Sequence, residues 1–272
     1  MRRSILALGL LLCTLAPATA LATPQPLPFT YVYETLPKGG LEVEQYVDFT
    51  PVVALANATG KPMRYGASQF QTEFEYGITD RLELGLYATF APTDVSAAVP
   101  QTIPVLTEGN GMKERLRLRL GDEGVWPVDV ALYLELVENE REFEIEGKVI
   151  LQHRFGPLRV VTNLWAEREY EYGAGQNDWV INPTLGATYE VTPSFHPGIE
   201  TWVRAEYVSP EPSPRPFNLG PVAYVGPTAM ANFGKLWLSV GEYFRVTDSG
   251  RVLQPGDAFG SLWLRMVVGL SF

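Results

Sequence analysis

QFQTEFEYGITDRLELGLYATF, residues 69–90, holds two runs of alternating character with a short break between them. In the first run Phe70, Thr72, Phe74, Tyr76 and Ile78 alternate with Gln69, Gln71, Glu73, Glu75 and Gly77. In the second, Leu82, Leu84, Leu86, Ala88 and Phe90 alternate with Arg81, Glu83, Gly85, Tyr87 and Thr89. A period of two belongs to an extended strand, whose successive side chains point to opposite faces. Each run therefore has a greasy face and a polar face. Only Thr79 and Asp80 separate them, which predicts a tight hairpin.

The pattern continues in both directions. Upstream, Leu41, Val43, Val47 and Phe49 share one face of a strand over 41–49. Downstream, Leu116, Leu118 and Leu120 alternate with Arg115, Arg117 and Arg119, and Val128, Val130, Leu132, Leu134 and Leu136 alternate with Asp129, Ala131, Tyr133 and Glu135. Phe143, Ile145, Val149, Leu151 and Phe155 face away from Glu144, Glu146, Lys148, Gln152 and Arg154, up to a turn at Gly156–Pro157. A less tidy run covers 158–167. Further runs span 179–191, 199–207, 220–231, 235–244 and 262–272, and in the 220–231 run Pro221 and Pro227 remove ladder donors while Gly226 suggests a bulge. The total is about twelve strands, an even count that places both ends of the sheet on one side.

The gaps between runs alternate in length. Short ones fall at 79–80, 121–127, 156–157, 192–195 and 232–234; long ones at 50–68, 91–111, 168–177, 208–219 and 245–258; a middling one lies near 137–142. Short and long connections thus collect at opposite ends, the asymmetry of short periplasmic turns and long external loops in a bacterial outer-membrane barrel.

Alternation alone does not say whether the apolar face points inward, as in a soluble barrel, or outward into lipid. Three features favour the second. The runs have the roughly 9 to 11 residues that a tilted strand needs to cross a bilayer. Aromatics gather at the ends of the apolar face: Phe49, Phe70, Phe90, Phe143, Trp179, Tyr207 and Phe244 towards the long loops, and Tyr76, Phe155, Tyr189 and Phe272 towards the short turns. Finally, a signal peptide at the start of the sequence is combined with the apolar terminal strand 262–272; since an open sheet edge in lipid would leave backbone groups unpaired at several kcal/mol each, the first and last strands should pair. The expected fold is all-β, a single antiparallel transmembrane β-barrel over 41–272, preceded by an N-terminal periplasmic lead-in over 23–40.

The start of the chain points to export. Arg2 and Arg3, the apolar stretch Ile5–Leu15 and the small residues before Ala20 and Ala22 read as a signal peptide over 1–22. Cys13, the sole cysteine, lies within it, so the processed chain has no thiol chemistry. Removing Arg2 and Arg3 makes the formal net charge of -10 more negative still, which repels nucleic acid.

Two resemblances follow from these residues. The last strand, with Leu264, Met266, Val268, Leu270 and Phe272 on one face, is similar to the C-terminal signature that outer-membrane proteins present to the barrel-assembly machinery. YETLPKGGLEVEQYVDF (33–49) followed by FEYGITDRLELGLY (74–87) resembles the start of the outer-membrane family named for the MetA pathway of phenol degradation, described as transporter-like. That resemblance implies a barrel and solute transport, and it carries no catalytic residues to transfer.

The polar face would then line a lumen. Arg115, Arg117 and Arg119 form a basic ladder expected to face Asp129 and Glu135 on the following strand, and Glu142, Glu144 and Glu146 an acidic stretch expected to face Lys148, Arg154 and Arg159; Arg204 and Arg265 also point inward. Such walls either set up a transverse field that orients polar solutes or pair across strands and fill the interior, and the limited room in a small barrel favours pairing. An acidic surplus predicts preference for cations and neutral solutes. Inward Trp165, Trp202, Trp237, Trp263, Tyr87 and Tyr133 offer stacking surface for sugar or aromatic solutes, or simple packing.

An enzyme reading finds little. His153 shares the lipid face with Leu151 and Phe155, His196 follows Pro193 and Ser194 in a turn, and no nucleophile–base–orienter context surrounds either. Asp178, Asp248 and Asp257, or Glu138, Glu140 and Glu142, are acidic groups able to hold divalent cations at the outer rim and so bridge lipopolysaccharide phosphates, though solvated charge is the simpler reading. SPEPSPRP (209–216) reads as a stiff external loop. The functional expectation is a passive channel or transporter for small, hydrophobic or aromatic solutes, with no cofactor and no metal. The other class is a non-conducting structural or surface-interaction barrel.

Overall fold

The computed structural model describes residues 23–55, 62–90, 111–139, 142–172, 177–209, 221–247 and 259–272. The signal-peptide reading of 1–22, Asp248, Asp257, Glu140 and nearly all of the 209–216 loop lie outside them. Every element among the described residues is a strand: β1 (Leu41–Leu55), β2 (Pro62–Gly77), β3 (Leu82–Phe90), β4 (Gly111–Arg119), β5 (Asp129–Asn139), β6 (Glu142–Phe155), β7 (Leu158–Glu171), β8 (Asn177–Ile181), β9 (Thr184–Tyr189), β10 (Phe195–Ser209), β11 (Val222–Phe233), β12 (Leu236–Arg245) and β13 (Leu262–Ser271).

All pairings are antiparallel, and the sheet closes on itself. β1 pairs with β13 from Glu42↔Ser271 to Phe49↔Leu264, so the first and last strands meet as lipid requires. β8 and β9 both lie between β7 and β10. The register passes from Ala166↔Ile181 to Asn163↔Thr184 on one side and from Ala205↔Ile181 to Trp202↔Thr184 on the other, without a slip. They are one strand position interrupted at Asn182–Pro183, where proline has no N–H to give. Twelve positions therefore ring the barrel, as the alternation predicts, with the expected 179–191 run split in two.

Two expected connections prove shorter. The region 50–68 is mostly ladder, running from Thr50↔Ala67 to Leu55↔Pro62, because backbone pairing persists past the point where the apolar alternation stops. β5 and β6 are separated only by residues 140 and 141. β11 runs through Pro227: its register with β12 breaks off at Val225↔Phe244 and resumes at Thr228↔Gly241, with Gly226–Pro227 in the gap. A Cβ on Gly226 would lie 1.7 Å from the Glu242 carbonyl oxygen, so only glycine allows this approach. Gly156 and Gly234 take positive φ (62° and 87°) in the two-residue turns that follow β6 and β11.

Burial settles which face points where. On β2, Phe74 and Tyr76 are 48% and 47% exposed, whereas Glu73 and Glu75 are buried. The same inversion holds on β4, where Leu116 and Leu118 are exposed beside buried Arg115 and Arg117. Leaving a leucine or phenylalanine in water forgoes roughly 1.5–3 kcal/mol, and a whole belt of them is tolerable only in lipid. Exposed Tyr76, Phe155, Tyr189, Phe233 and Phe272 lie at the short-turn end; Phe49, Phe70, Trp179, Tyr207 and Phe244 lie towards the other.

Residues 23–40 do not form a lead-in outside the barrel. Thr23 starts beside Glu42 at the short-turn end, Phe29 and Tyr31 reach the middle of the lumen, and the chain returns through Tyr33 and Leu36 to enter β1. Leu27, Thr30, Val32, Tyr33 and Leu36 are buried there. This segment is a plug filling the short-turn half.

Candidate functional site

The lumen is built by parity: every second residue of each strand points into it, so its chemistry is distributed around the ring rather than concentrated in a loop. Pro24, Pro26, Pro28 and Pro37 have no N–H, which lowers the number of backbone donors that the plug must satisfy away from water. Those that remain are met by the wall. The N–H groups of Phe29 and Thr30 donate to Glu200 (3.2 and 2.5 Å), that of Tyr33 to Gln152 (3.2 Å), and that of Leu36 to Glu83 (2.6 Å). Asn163 accepts from the Tyr31 N–H at 2.8 Å and donates to the Tyr31 carbonyl at 2.9 Å, imitating a strand partner. The Tyr33 hydroxyl donates to the Gly121 carbonyl (2.6 Å). Burial, with Glu73 and Glu135 adding to it, raises the Tyr31 pKa and keeps the phenol protonated.

Beside the plug lies a dense charge network. Arg115 contacts Glu73 (2.7 Å), Glu83 (2.9 Å) and Glu75, and Arg117 contacts Glu83 (2.7 Å). The arginine ladder thus pairs with β2 and β3, not with Asp129 and Glu135 on β5 as expected. Cα register sets Arg115 opposite Glu135, yet the guanidinium leans to the acid-rich hairpin on its other side. Arg119 donates to the Asp80 carbonyl and lies 5.5 Å from the Tyr33 ring. Asp129 accepts the Gly124 N–H (2.7 Å), capping the β4–β5 turn. Glu135 meets Lys113 (3.5 Å) and the Tyr133 hydroxyl.

The second expected pairing holds only in part. Lys148 meets Glu146 at 2.5 Å, but Arg154 and Arg159 each reach Glu34 of the plug at 2.9 Å. Arg204 bridges Glu167 (3.4 Å), Glu169 (3.0 Å) and Glu206 (3.0 Å); Arg265 meets Asp48 at 2.7 Å and lies 3.7 Å above the Phe29 ring. Glu144, Glu167 and Glu169 bring carboxylate oxygens within 4.8 Å of one another, as do Glu42, Glu44 and Glu75. Among the described residues these are the acidic groups close enough to share a cation, although Arg204 serves the first set and Arg115 reaches the second. Glu138 instead points outward beside Phe143.

On the long-connection side of the plug lies a cavity of about 120 Å³. Phe29 and Tyr31 contribute its plug side, and Tyr133, Lys148, Trp165, Asn182, Trp202, Arg204 and Arg265 are among the wall residues. The Lys148 ammonium sits 3.8 Å from the Trp165 ring, 3.9 Å from Tyr133 and 4.4 Å from Tyr31, a three-ring cage. Trp202, Tyr224, Trp263 and Tyr243 form an aromatic cluster around Phe29.

His153 packs on Phe155 at 4.4 Å on the outer face, whereas His196 is buried inside near the start of β10. Leu264, Met266, Val268, Leu270 and Phe272 share the outer face of the closing strand. Sequence reasoning overlooked Glu73, Glu75, Glu83, Asp48 and Glu200 as lumen groups and residues 23–36 as lumen filling. Parity marks the five acids, each lying on the polar side of its strand; nothing local marks the plug.

No protein-family model matches the chain, and no curated protein matches it in sequence. Among solved structures, an outer membrane channel from Pseudomonas putida F1 is similar with a TM-score of 0.61, at 14% identity over 88% of this chain and 98% of that one. The NanC porin is similar with a TM-score of 0.54, at 9% identity over 85% of this chain and 98% of that one. At these identities the likeness is one of fold.

Proposed function

We propose that the protein is a bacterial outer-membrane channel through which small solutes move down their gradients, without cofactor or energy coupling. The observation that carries this reading is the cavity inside a closed barrel with a lipid-facing exterior: a lumen with polar walls and unfilled space has the form of a passage. The fold it shares with a channel and a porin supports the same reading. The aromatic walls suit ring-bearing solutes. Export by the 1–22 signal, insertion by assembly machinery that reads the outer face of β13, and contact with membrane lipid and lipopolysaccharide belong to this proposal.

The second reading, a non-conducting barrel, is favoured by the plug, which occupies the short-turn half with its backbone donors satisfied. Planar-bilayer recording of refolded full-length protein, beside a variant lacking residues 24–36, separates the two. Discrete conductance steps, larger in the deletion, are expected. Silence from both, with folding shown by heat-modifiable mobility, would leave only the structural barrel.

A further inference from the structure

We propose that the export signal is cut between Ala22 and Thr23, and that the α-ammonium freed on Thr23 becomes the counter-ion of Glu42, pinning the first residue of the plug to the seam where the barrel closes. The inference rests on the export reading of residues 1–22 and adds to it the bond that is cut and a structural use for the new chain end.

The sequence leaves two cuts open. Ala18-Thr19-Ala20 and Ala20-Leu21-Ala22 both carry small residues at the spacing a signal peptidase reads. Glu42 chooses between them. It is fully buried at the start of β1, where it accepts from the Trp237 indole N–H of β12 (2.7 Å) and from the Ser271 hydroxyl of β13. Both donors are neutral, and no lysine or arginine among the described residues pairs with it. Glu44 and Glu75 bring carboxylate oxygens within 4.8 Å of it, and Arg115, which meets Glu75, is already shared with Glu73 and Glu83. A buried carboxylate so placed lacks a cation of its own, and burial without one is costly.

The nearest nitrogen of the plug is that of Thr23, 3.4 Å from Glu42 Oε2. In an uncut chain it is a neutral amide with one hydrogen; in a chain that starts there it is an ammonium with three, within ion-pair range. Its position is set by more than this contact. Two residues further along both segments, the Gln25 amide donates to Glu44 (3.3 Å) and to the Tyr46 hydroxyl (3.2 Å), so residues 23–25 run in step with the inner face of β1. Pro24 holds Thr23 extended, since the residue before a proline is confined to that region. A cut after Ala20 would put the charge two residues away, up to roughly 7 Å of extended chain, and leave Glu42 with an amide.

The cut is a hydrolysis. Signal peptidase adds one water across the Ala22–Thr23 peptide bond: hydroxyl goes to the Ala22 carbonyl carbon and hydrogen to the Thr23 nitrogen. The new amine then takes up the proton that the new Ala22 carboxyl group releases.

Two measurements test this. Protein expressed with its own signal in a Gram-negative host is extracted from outer membranes, and its intact mass and N-terminal peptide give the first residue. Thr23 is expected. A start at Leu21 or any other residue overturns the proposal, and a chain that retains residues 1–22 overturns the export reading beneath it as well. Next, the folded protein is acylated near pH 7, where α-amines, with a pKa of about 8, react ahead of lysines at about 10. Glu42→Gln keeps the size and hydrogen bonding of the partner and removes its charge. Labelling of Thr23 should be about tenfold faster in that variant, the effect of losing a hydrogen bond to a charged group. Retained heat-modifiable mobility shows that the variant folds. Unfolding the parent in urea should speed labelling at least as much, a comparison that needs no variant. Equal rates in either comparison overturn the ion pair.

Discussion

Arg115 gathers three lumen carboxylates around one fully buried guanidinium. Its guanidinium is buried against Glu73, Glu75 and Glu83, and Arg117 shares Glu75 and Glu83 with it. Removing one member of a buried ion network leaves the others without compensation, at about 3–5 kcal/mol. Arg115→Met should therefore lower the unfolding free energy of vesicle-inserted protein by an amount in that range, read as a fall in urea midpoint at unchanged slope, and Glu75→Gln should cost less because Arg115 keeps two acids. An Arg115→Met protein as stable as the parent would show that the network contributes nothing net. The sequence made the inward arginines legible by parity. It did not reveal their partners, because parity gives the face of a strand but not the direction in which a long side chain leans. Gly269 is a second decisive residue. Trp237 lies over it and donates to Glu42 at 2.7 Å, and a Cβ on Gly269 would lie 2.1 Å from the indole. Gly269→Ala should displace the indole, shift its fluorescence and destabilise the protein by about 1–3 kcal/mol, as overpacking does.

At the scale of elements, strands were readable and the plug was not. A strand declares itself through a local period of two, and its interruption at Pro183 falls where the missing N–H removes a ladder bond. Residues 23–40 have no such period. PQPLPFTYVYETLPKGG is proline-rich and reads as an extended connector; its burial depends on Glu200, Asn163, Gln152 and Glu83, all distant in sequence. Those wall groups make the plug testable. Glu200→Ala removes the acceptor for the Phe29 and Thr30 N–H groups and for the Tyr243 hydroxyl. Hydrogen exchange over residues 28–33 should then rise at least about tenfold, the effect of losing roughly 1.4 kcal/mol of local stability, while β4–β7 amides stay protected. Unchanged exchange would mean that aromatic packing around Phe29 alone holds the segment.

For the whole molecule, closure and polarity were both legible: the alternation requires an inside and an outside, and the cost of an unpaired edge in lipid requires β1 to meet β13. The sequence could not show how full the inside is, since that depends on a segment whose register with the wall is set by no ladder. What does carry through is the charge balance. Among the described residues, buried carboxylates outnumber buried lysines and arginines several-fold, so the lumen retains an acidic surplus even after its ion pairs are formed. Low-dielectric walls focus the field of that surplus along the passage. In a potassium chloride gradient the reversal potential of the open protein should therefore report cation preference. Screening sharpens the test: the Debye length falls from about 10 Å at 0.1 M to about 3 Å at 1 M salt, so the preference should weaken steadily as salt rises. Glu144→Gln with Glu167→Gln, two acids beside the cavity, should move the reversal potential towards zero. A clear anion preference at low salt would refute an acidic lumen as the filter.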